Sequence, residues 1–277
     1  MPELPEVESV VRSLRDGSPS LVGARIDDVD ILWYGVVSSG TGIAALHELV
    51  GTMVTAVCRH GKYLLLHLVD SEDRKMCLVI HLRMTGRLTL VPMNTDSGHH
   101  TRLSLSLNTG YSLHFDDPRK FGRVWLVNHP DEVVGALGPD ALGISEELFV
   151  SRLRGHRRHI KPLLLDQSCL AGIGNIYADE SLFRAGIHPL SRASELSADQ
   201  MARLHQAVVA VLDEAVEFSG ANIDGVFKAG KFVVSVYGRE GQPCRVCGSE
   251  ISKIRVGQRG THVCRTCQPP PASGCRT

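Results

Sequence analysis

Apolar residues recur at helical spacing from the start of the chain, at Val7, Val10, Val11 and Leu14, predicting a helix from Glu3 to about Arg15. Its early glutamates suit the positive end of a helix dipole, and Asp16-Gly17-Ser18-Pro19 stops it. From Leu21 to about Val127 the pattern changes to short β-rich runs: Val54–Cys58, Tyr63–Val69, Cys77–Leu82, Arg87–Val91, Arg102–Leu107 and Arg123–Val127. Gly, Asn and Asp punctuate them, as in Asn108-Thr109-Gly110, and one short helix from Gly42 to about Val50 interrupts. Runs so closely spaced predict a two-sheet sandwich. His129-Pro130-Asp131 marks a boundary, after which the helical period returns. Ser197-Ala198-Asp199-Gln200 reads as a capping box ahead of Met201, Leu204, Val208, Val211, Leu212 and Ala215 on one helix face, with Gly220 the expected C-cap. No internal repeat is visible.

The length of 277 residues suits two domains that each bury a core. No apolar run reaches membrane-span length, and the N-terminal stretch lacks a signal-peptide layout, so a cytoplasmic protein without membrane contact is expected. Thirty basic and thirty acidic residues cancel, but their distribution is uneven. Lys228, Lys231, Arg239, Arg245, Lys253, Arg255, Arg259, Arg265 and Arg276 face only Glu240 and Glu250 in the same stretch. A second basic run holds Arg152, Arg154, Arg157, Arg158 and Lys161. Local fields, not the whole-chain sum, steer ligands, so a polyanion stays possible. Cys58, Cys77 and Cys169 read as buried free thiols, and Cys275 sits in a loose tail.

Cys244-x2-Cys247 and Cys264-x2-Cys267 put two pairs of thiolates on two tight turns, the pattern of a tetrahedral metal site. One structural zinc is the expected ion, with iron in the same four-sulfur cage as the alternative. All four positions are cysteine, which leaves none for water, so the metal folds the segment and does not catalyse. At the other end, removal of Met1 would give Pro2 a free secondary amine. An ordinary terminal amine has a pKa of about 8, so part of it is unprotonated and nucleophilic at neutral pH. Glu3 beside it offers general acid–base help. Gly172 and Gly174 permit a tight turn, Asn175 is placed to cap the next helix, and exposed N–H groups there favour a phosphate. An ordinary helix–turn–helix could look the same.

The octapeptide Met1-Pro2-Glu3-Leu4-Pro5-Glu6-Val7-Glu8 resembles the start of the formamidopyrimidine-DNA glycosylase/endonuclease VIII family, and its Leu4–Glu8 part resembles the formamidopyrimidine branch. Ile160–Asp166 with Leu170–Glu180 resembles the family's helix–two-turn–helix module, and Lys253–Thr261 its zinc-finger hairpin. The resemblance covers Met1 to Gln268. It implies an α+β fold: an N-terminal two-sheet β-sandwich with a leading helix (1–130), a helical helix–two-turn–helix domain (131–235) and a four-cysteine zinc finger on a β-hairpin (236–268). Beyond it, the consecutive Pro269, Pro270 and Pro271 open an expected disordered tail (269–277).

The resemblance also implies an activity, a bifunctional glycosylase and abasic-site lyase of base excision repair. A Pro2 amine would attack the deoxyribose of an oxidised purine nucleotide, and Glu3 would handle protons. Lys62, in Arg59-His60-Gly61-Lys62-Tyr63-Leu64, and Arg259 would assist β- and δ-elimination. An enzyme that acts on a base in duplex DNA must extrude it, and fillers must take its place. By resemblance these are Met84, Arg119 and Phe121, while His100, Arg119, Lys120, Arg157, Lys161 and Asn175 contact DNA. The implied partner is damaged double-stranded DNA, bound by a monomer.

Three features depart from the family pattern. His60 stands where arginine is more usual, Arg83 where a small residue is common, and the lid between Phe218 and Tyr237 looks shortened to Asn222–Phe232. The lid leaves open an endonuclease VIII-like preference for oxidised pyrimidines or abasic sites. A non-catalytic zinc-finger DNA-binding protein is the rival from another class.

Overall fold

The computed structural model describes residues 1–38, 42–222 and 230–271. Two compact units divide it: Met1–Pro2 with Glu6–Ala136, and Glu3–Pro5 with the chain from Leu137 onward. The first helix, α1, runs Leu4–Asp16, with Glu6 in its first turn and Arg15 in its last. Val7, Val11 and Leu14 are buried along its inner face, as the spacing predicts.

The first unit then holds β1 (Ile26–Ile31), α2 (Ile43–Leu46), β2 (Met53–His60), β3 (Tyr63–Val69), β4 (Lys75–His81), β5 (Arg87–Pro92), β6 (Thr101–Leu107), β7 (Tyr111–Asp116) and β8 (Arg123–Val127). They form two antiparallel four-stranded sheets, ordered β1-β6-β7-β5 and β2-β3-β4-β8. β4 is buried almost continuously, from Met76 to His81, so both of its faces are covered. The expected strands are all present. β1 and β7 were not separately legible. In β1 the register shifts between Ile26 and Asp28, and three aspartates leave only Ile26 and Val29 buried, so no two-residue alternation shows. The expected helix from Gly42 to Val50 is one α-turn followed by the 3-10 turn His47–Leu49.

The second unit is helical: α3 at Asp131–Val134 belongs to the first unit's end, and α4 (Glu146–Leu153), α5 (Ile160–Leu164), α6 (Asn175–Ala185) and α7 (Ala198–Glu217) follow. Its core joins Leu4, Phe149, Tyr177, Met201, Leu204 and Val208. The capping box of α7 is present, with Ser197 accepting from Gln200 N and Gln200 accepting from Ser197 N. Its C-terminus differs from expectation. Phe218 is the C-cap, and Ser219, at φ +58°, takes the left-handed place. Gly220 N donates to Ala215 O and Ser219 N to Val216 O, the paired bonds of a Schellman end, with Gly220 two residues beyond the cap. Beyond lies a small hairpin, β9 (Ser252–Val256) with β10 (Arg259–Val263), over a core of Val236, Ile251, Cys244 and Cys264. Among the described residues no helix is long and apolar enough to cross a membrane. Most of the shortened lid, Ile223–Ala229, and the tail from Ala272 lie outside the described residues.

Candidate active site and metal centre

Lys62 sits in the two-residue turn joining β2 to β3, where His60 pairs with Tyr63. Only Gly61 of the two turn residues has positive φ, at +56°, the II′ geometry that suits strand twist and asks for glycine first. Arg59 braces the turn. Its Nη1 donates to Gly61 O at 2.9 Å, and its Nε donates to Glu8 Oε2 on α1 at 2.9 Å. Lys62 is itself buried. Buried His81 is held neutral nearby: burial first, then the positive charges of Arg83 and Lys62, push it down to about 3. Its Nδ1 accepts from Arg83 N at 2.9 Å, and Arg83 lies at φ +56°. That left-handed backbone is one glycine adopts without strain and arginine rarely does.

The residues expected to fill a vacated base stack are exposed apolar groups, not core. Met84 is 39% and Phe121 44% accessible, and Arg119 stacks on the Phe121 ring at 4.8 Å. Buried Asp117 shapes their loop, accepting from Arg119 N and Gly122 N and from the Thr85 hydroxyl. Its own N–H donates to His100 O. Sequence reading passed over Asp117, although a carboxylate just ahead of Pro118 is a local loop organiser by type. His100, Lys120 and Arg157, expected to contact DNA, are exposed.

In the second unit Glu3 lies at the N-terminus of α6. Ile176 N donates to Oε1 at 3.0 Å and Tyr177 N to Oε2 at 3.3 Å, so the carboxylate sits on the positive end of the helix. Leu4 N donates to Gly172 O. Gly174 is the N-cap, and a Cβ there would lie 2.2 Å from Glu3 Cδ, so nothing larger than glycine leaves room for the acid. Two expectations change. Asn175 is the first helical residue, not the cap, and the N–H groups of Ile176 and Tyr177 hold Glu3 and are not left for a phosphate.

Lys161 is also corrected. It is fully buried, 2.6 Å from Asp179 Oδ1, and donates to Thr261 Oγ1 at 2.7 Å and Gly260 O at 3.2 Å. Burial pushes the Lys161 pKa down, and the charge of Asp179 and its hydrogen bond oppose that. A lysine so enclosed has no donor to give a phosphate. Asp179 Oδ2 accepts from His262 N at 2.9 Å, and Asn175 Nδ2 donates to Gly260 O at 3.1 Å. These bonds fasten β10, whose first residue, Arg259, is exposed. Glu180 beside Asp179 accepts from the N–H groups of Ser235, Val236 and Tyr237; burial raises its pKa, and those three donors oppose the rise.

The four cysteine sulfurs lie within 4.8 Å of one another. Cys247 and Cys264 are 3.4 Å apart and Cys244 and Cys267 3.9 Å. Zn–S bonds of about 2.3 Å in a tetrahedron separate sulfurs by about 3.8 Å, so the donor set fits zinc. Of the other three cysteines among the described residues only Cys77 is buried; Cys58 is exposed and Cys169 half-buried, against expectation.

Three family models match in order. The formamidopyrimidine-DNA glycosylase N-terminal domain covers residues 1–124, that family's H2TH domain 137–225, and the zinc finger found in FPG and IleRS 241–270. The formamidopyrimidine-DNA glycosylase of Pelotomaculum thermopropionicum is 41% identical over 97% of this chain and 99% of its own. That of a Roseiflexus species is 43% identical over 97% and 100%. The chain belongs to the formamidopyrimidine-DNA glycosylase family. The fold agrees: Lactococcus lactis Fpg, solved in complex with DNA containing an abasic site, superposes with a TM-score of 0.87 at 34% identity, over 97% of this chain and 100% of that one. The family is one of base-excision-repair glycosylases with abasic-site lyase activity. The third match and the sulfur spacing agree on one structural zinc.

Proposed function

We propose that this member of the family excises oxidised purines, formamidopyrimidines and 8-oxoguanine, from duplex DNA and cleaves the strand at the resulting abasic site. The observation that carries the reading is Glu3, next in sequence to Pro2 and fixed by two N–H donors on α6. A carboxylate immobilised one residue from an amine suits proton transfer at the carbon that the amine attacks.

With Met1 removed, the Pro2 nitrogen attacks C1′ of the damaged nucleotide and the C1′–N bond to the base breaks. Glu3 manages protons at the sugar. Glu3 protonates O4′ as the C1′–O4′ bond breaks and the Pro2 nitrogen lone pair closes an iminium; this acidifies the neighbouring C–H bonds, and loss of the 3′ and then the 5′ phosphate follows, with Lys62 and Arg259 assisting. Met84, Arg119 and Phe121 enter the stack that the flipped nucleotide leaves. Their exposure, together with the loop that Asp117 holds, supports that role. His100, Lys120, Arg157 and Asn175 take phosphates; Lys161 acts from behind, by fixing the strand that carries Arg259. Cys244, Cys247, Cys264 and Cys267 would hold zinc, which supplies folding energy to the finger.

The enzyme works as a monomer in the cytoplasm. Pro5 and the complete Met84, Arg119 and Phe121 set favour the oxidised-purine lesion. Borohydride reduction of mixtures with duplexes bearing 8-oxoguanine, thymine glycol or an abasic site tests the chemistry and the lesion assignment. The expected result is a covalent adduct in all productive mixtures, with 8-oxoguanine outranking thymine glycol. The reverse ranking would replace the lesion assignment, and no adduct anywhere would leave a binding protein without catalysis.

A further inference from the structure

The segment Leu32–Tyr34, which follows β1, carries no role in the reaction described above. It is nonetheless built with care. Leu32 N and Trp33 N both donate to Arg102 O, at 3.0 and 3.2 Å. At its far end Val37 bridges Val124, and Ser38 N donates to Val124 O. The indole of Trp33 lies flat against Gly35, where a Cβ would come within 2.2 Å of the ring. Lys120 Nζ is 5.5 Å and the Arg123 guanidinium carbon 5.7 Å from that ring, within cation–π range.

The frame behind this plate is the frame of the Arg119–Phe121 loop. Arg102, whose carbonyl holds Trp33, donates through Nε to Asp117 O at 2.8 Å. Asp117 in turn holds Arg119 N and Gly122 N. Arg123 donates to the carbonyls of Lys120 and Gly122, so it braces the loop while it lies against Trp33. Beside this plate Tyr34 is 64% and Leu32 49% accessible. Large apolar groups at that exposure, interleaved with two cations, match a ligand that alternates flat apolar rings with anionic groups. A nucleic-acid strand has that alternation.

We propose that Leu32, Trp33 and Tyr34, with Lys120, form a further DNA contact, on the strand flanking the lesion. Tyr34 and Leu32 pack against deoxyribose and base, and Trp33 holds Lys120 toward a phosphate. The proposal rests on the repair reading above and deepens its DNA interface.

The test uses the full-length protein and a duplex bearing a non-cleavable abasic analogue, with binding read by fluorescence anisotropy. Tyr34→Ala should weaken binding about tenfold, within what a base–aromatic contact contributes, and Tyr34→Phe should restore it. The salt dependence of Tyr34→Ala should match wild type, because no counterion release is lost, whereas Lys120→Ala should lower the slope by about one. Trp33 and Trp125 are the only tryptophans. In a Trp125→Phe protein, saturating DNA should therefore quench or shift emission from Trp33 alone. Unchanged affinity in Tyr34→Ala, or unchanged Trp33 emission at saturation, would overturn the contact. If wild type binds and forms the borohydride adduct while either of those results is found, only this contact falls; if wild type does neither, the repair reading falls with it.

Discussion

Removing one partner of the Lys161–Asp179 pair should damage the second unit more than any exposed charge change. Both side chains are fully buried and 2.6 Å apart. Asp179→Asn leaves an ammonium enclosed with neutral acceptors alone, Thr261 Oγ1 and Gly260 O among them. Lys161→Met leaves the carboxylate enclosed with His262 alone, through its backbone N–H at 2.9 Å and its ring Nδ1 at 3.4 Å. Breaking such a pair costs about 3–5 kcal/mol, and at about 3 °C per kcal/mol the thermal midpoint should drop by roughly 10–15 °C. The double variant Lys161→Met/Asp179→Asn carries no buried charge and still offers His262 N an acceptor. It should recover about half or more of the loss of either single change. Calorimetry or circular-dichroism melts of the four proteins close the cycle. Additive losses, within about 0.5 kcal/mol, would refute the pairing. So would a loss below about 1 kcal/mol in Asp179→Asn, the range of exposed ion pairs.

Other consequences are direct. Metal analysis should find one zinc per chain, and a strong chelator or Cys247→Ser should melt the finger and abolish DNA binding; full DNA affinity in metal-free protein would count against a structural role. Gly174→Ala places a Cβ 2.2 Å from Glu3 Cδ, so single-turnover excision should fall by about 10²-fold or more, the scale of a displaced general acid–base. An unchanged rate would remove Glu3 from the chemistry. His81 is neutral in the fold because its pKa is down to about 3 against 6.5 unfolded. The unfolded chain therefore binds the extra proton between those values, so this contribution to stability is complete above pH 6.5 and is lost as pH falls toward 3, at up to about 1.4 kcal/mol per unit. His81→Gln should flatten that acid slope in denaturant titrations, and an unaltered slope would contradict it.

Much of this was legible because it is local. The Cys-x2-Cys knuckles, the capping box of α7 and the strands with clear alternation are decided by residues within a few positions of each other. What escaped depends on distant partners. Lys161 stands in a basic run and reads as a phosphate ligand; only packing against Asp179 and β10 turns it inward. Asn175 follows two glycines and reads as a cap, but an acid from the start of the chain takes the helix end. Met84 and Phe121 show the converse. By composition they belong in a core, and the resemblance, not the pattern, placed them outside, where they are found. Cys58 misleads for a related reason, since a cysteine on an edge strand can face outward.

The central claim is that an amine on Pro2 becomes bonded to the sugar of a damaged nucleotide. Digestion of the borohydride-reduced complex with an 8-oxoguanine duplex, followed by tandem mass spectrometry, locates the bond directly. The account predicts a sugar-derived mass on the nitrogen of a peptide that begins with Pro2. A peptide that retains Met1 in material that still forms the adduct, or an adduct on a lysine side chain, would contradict it.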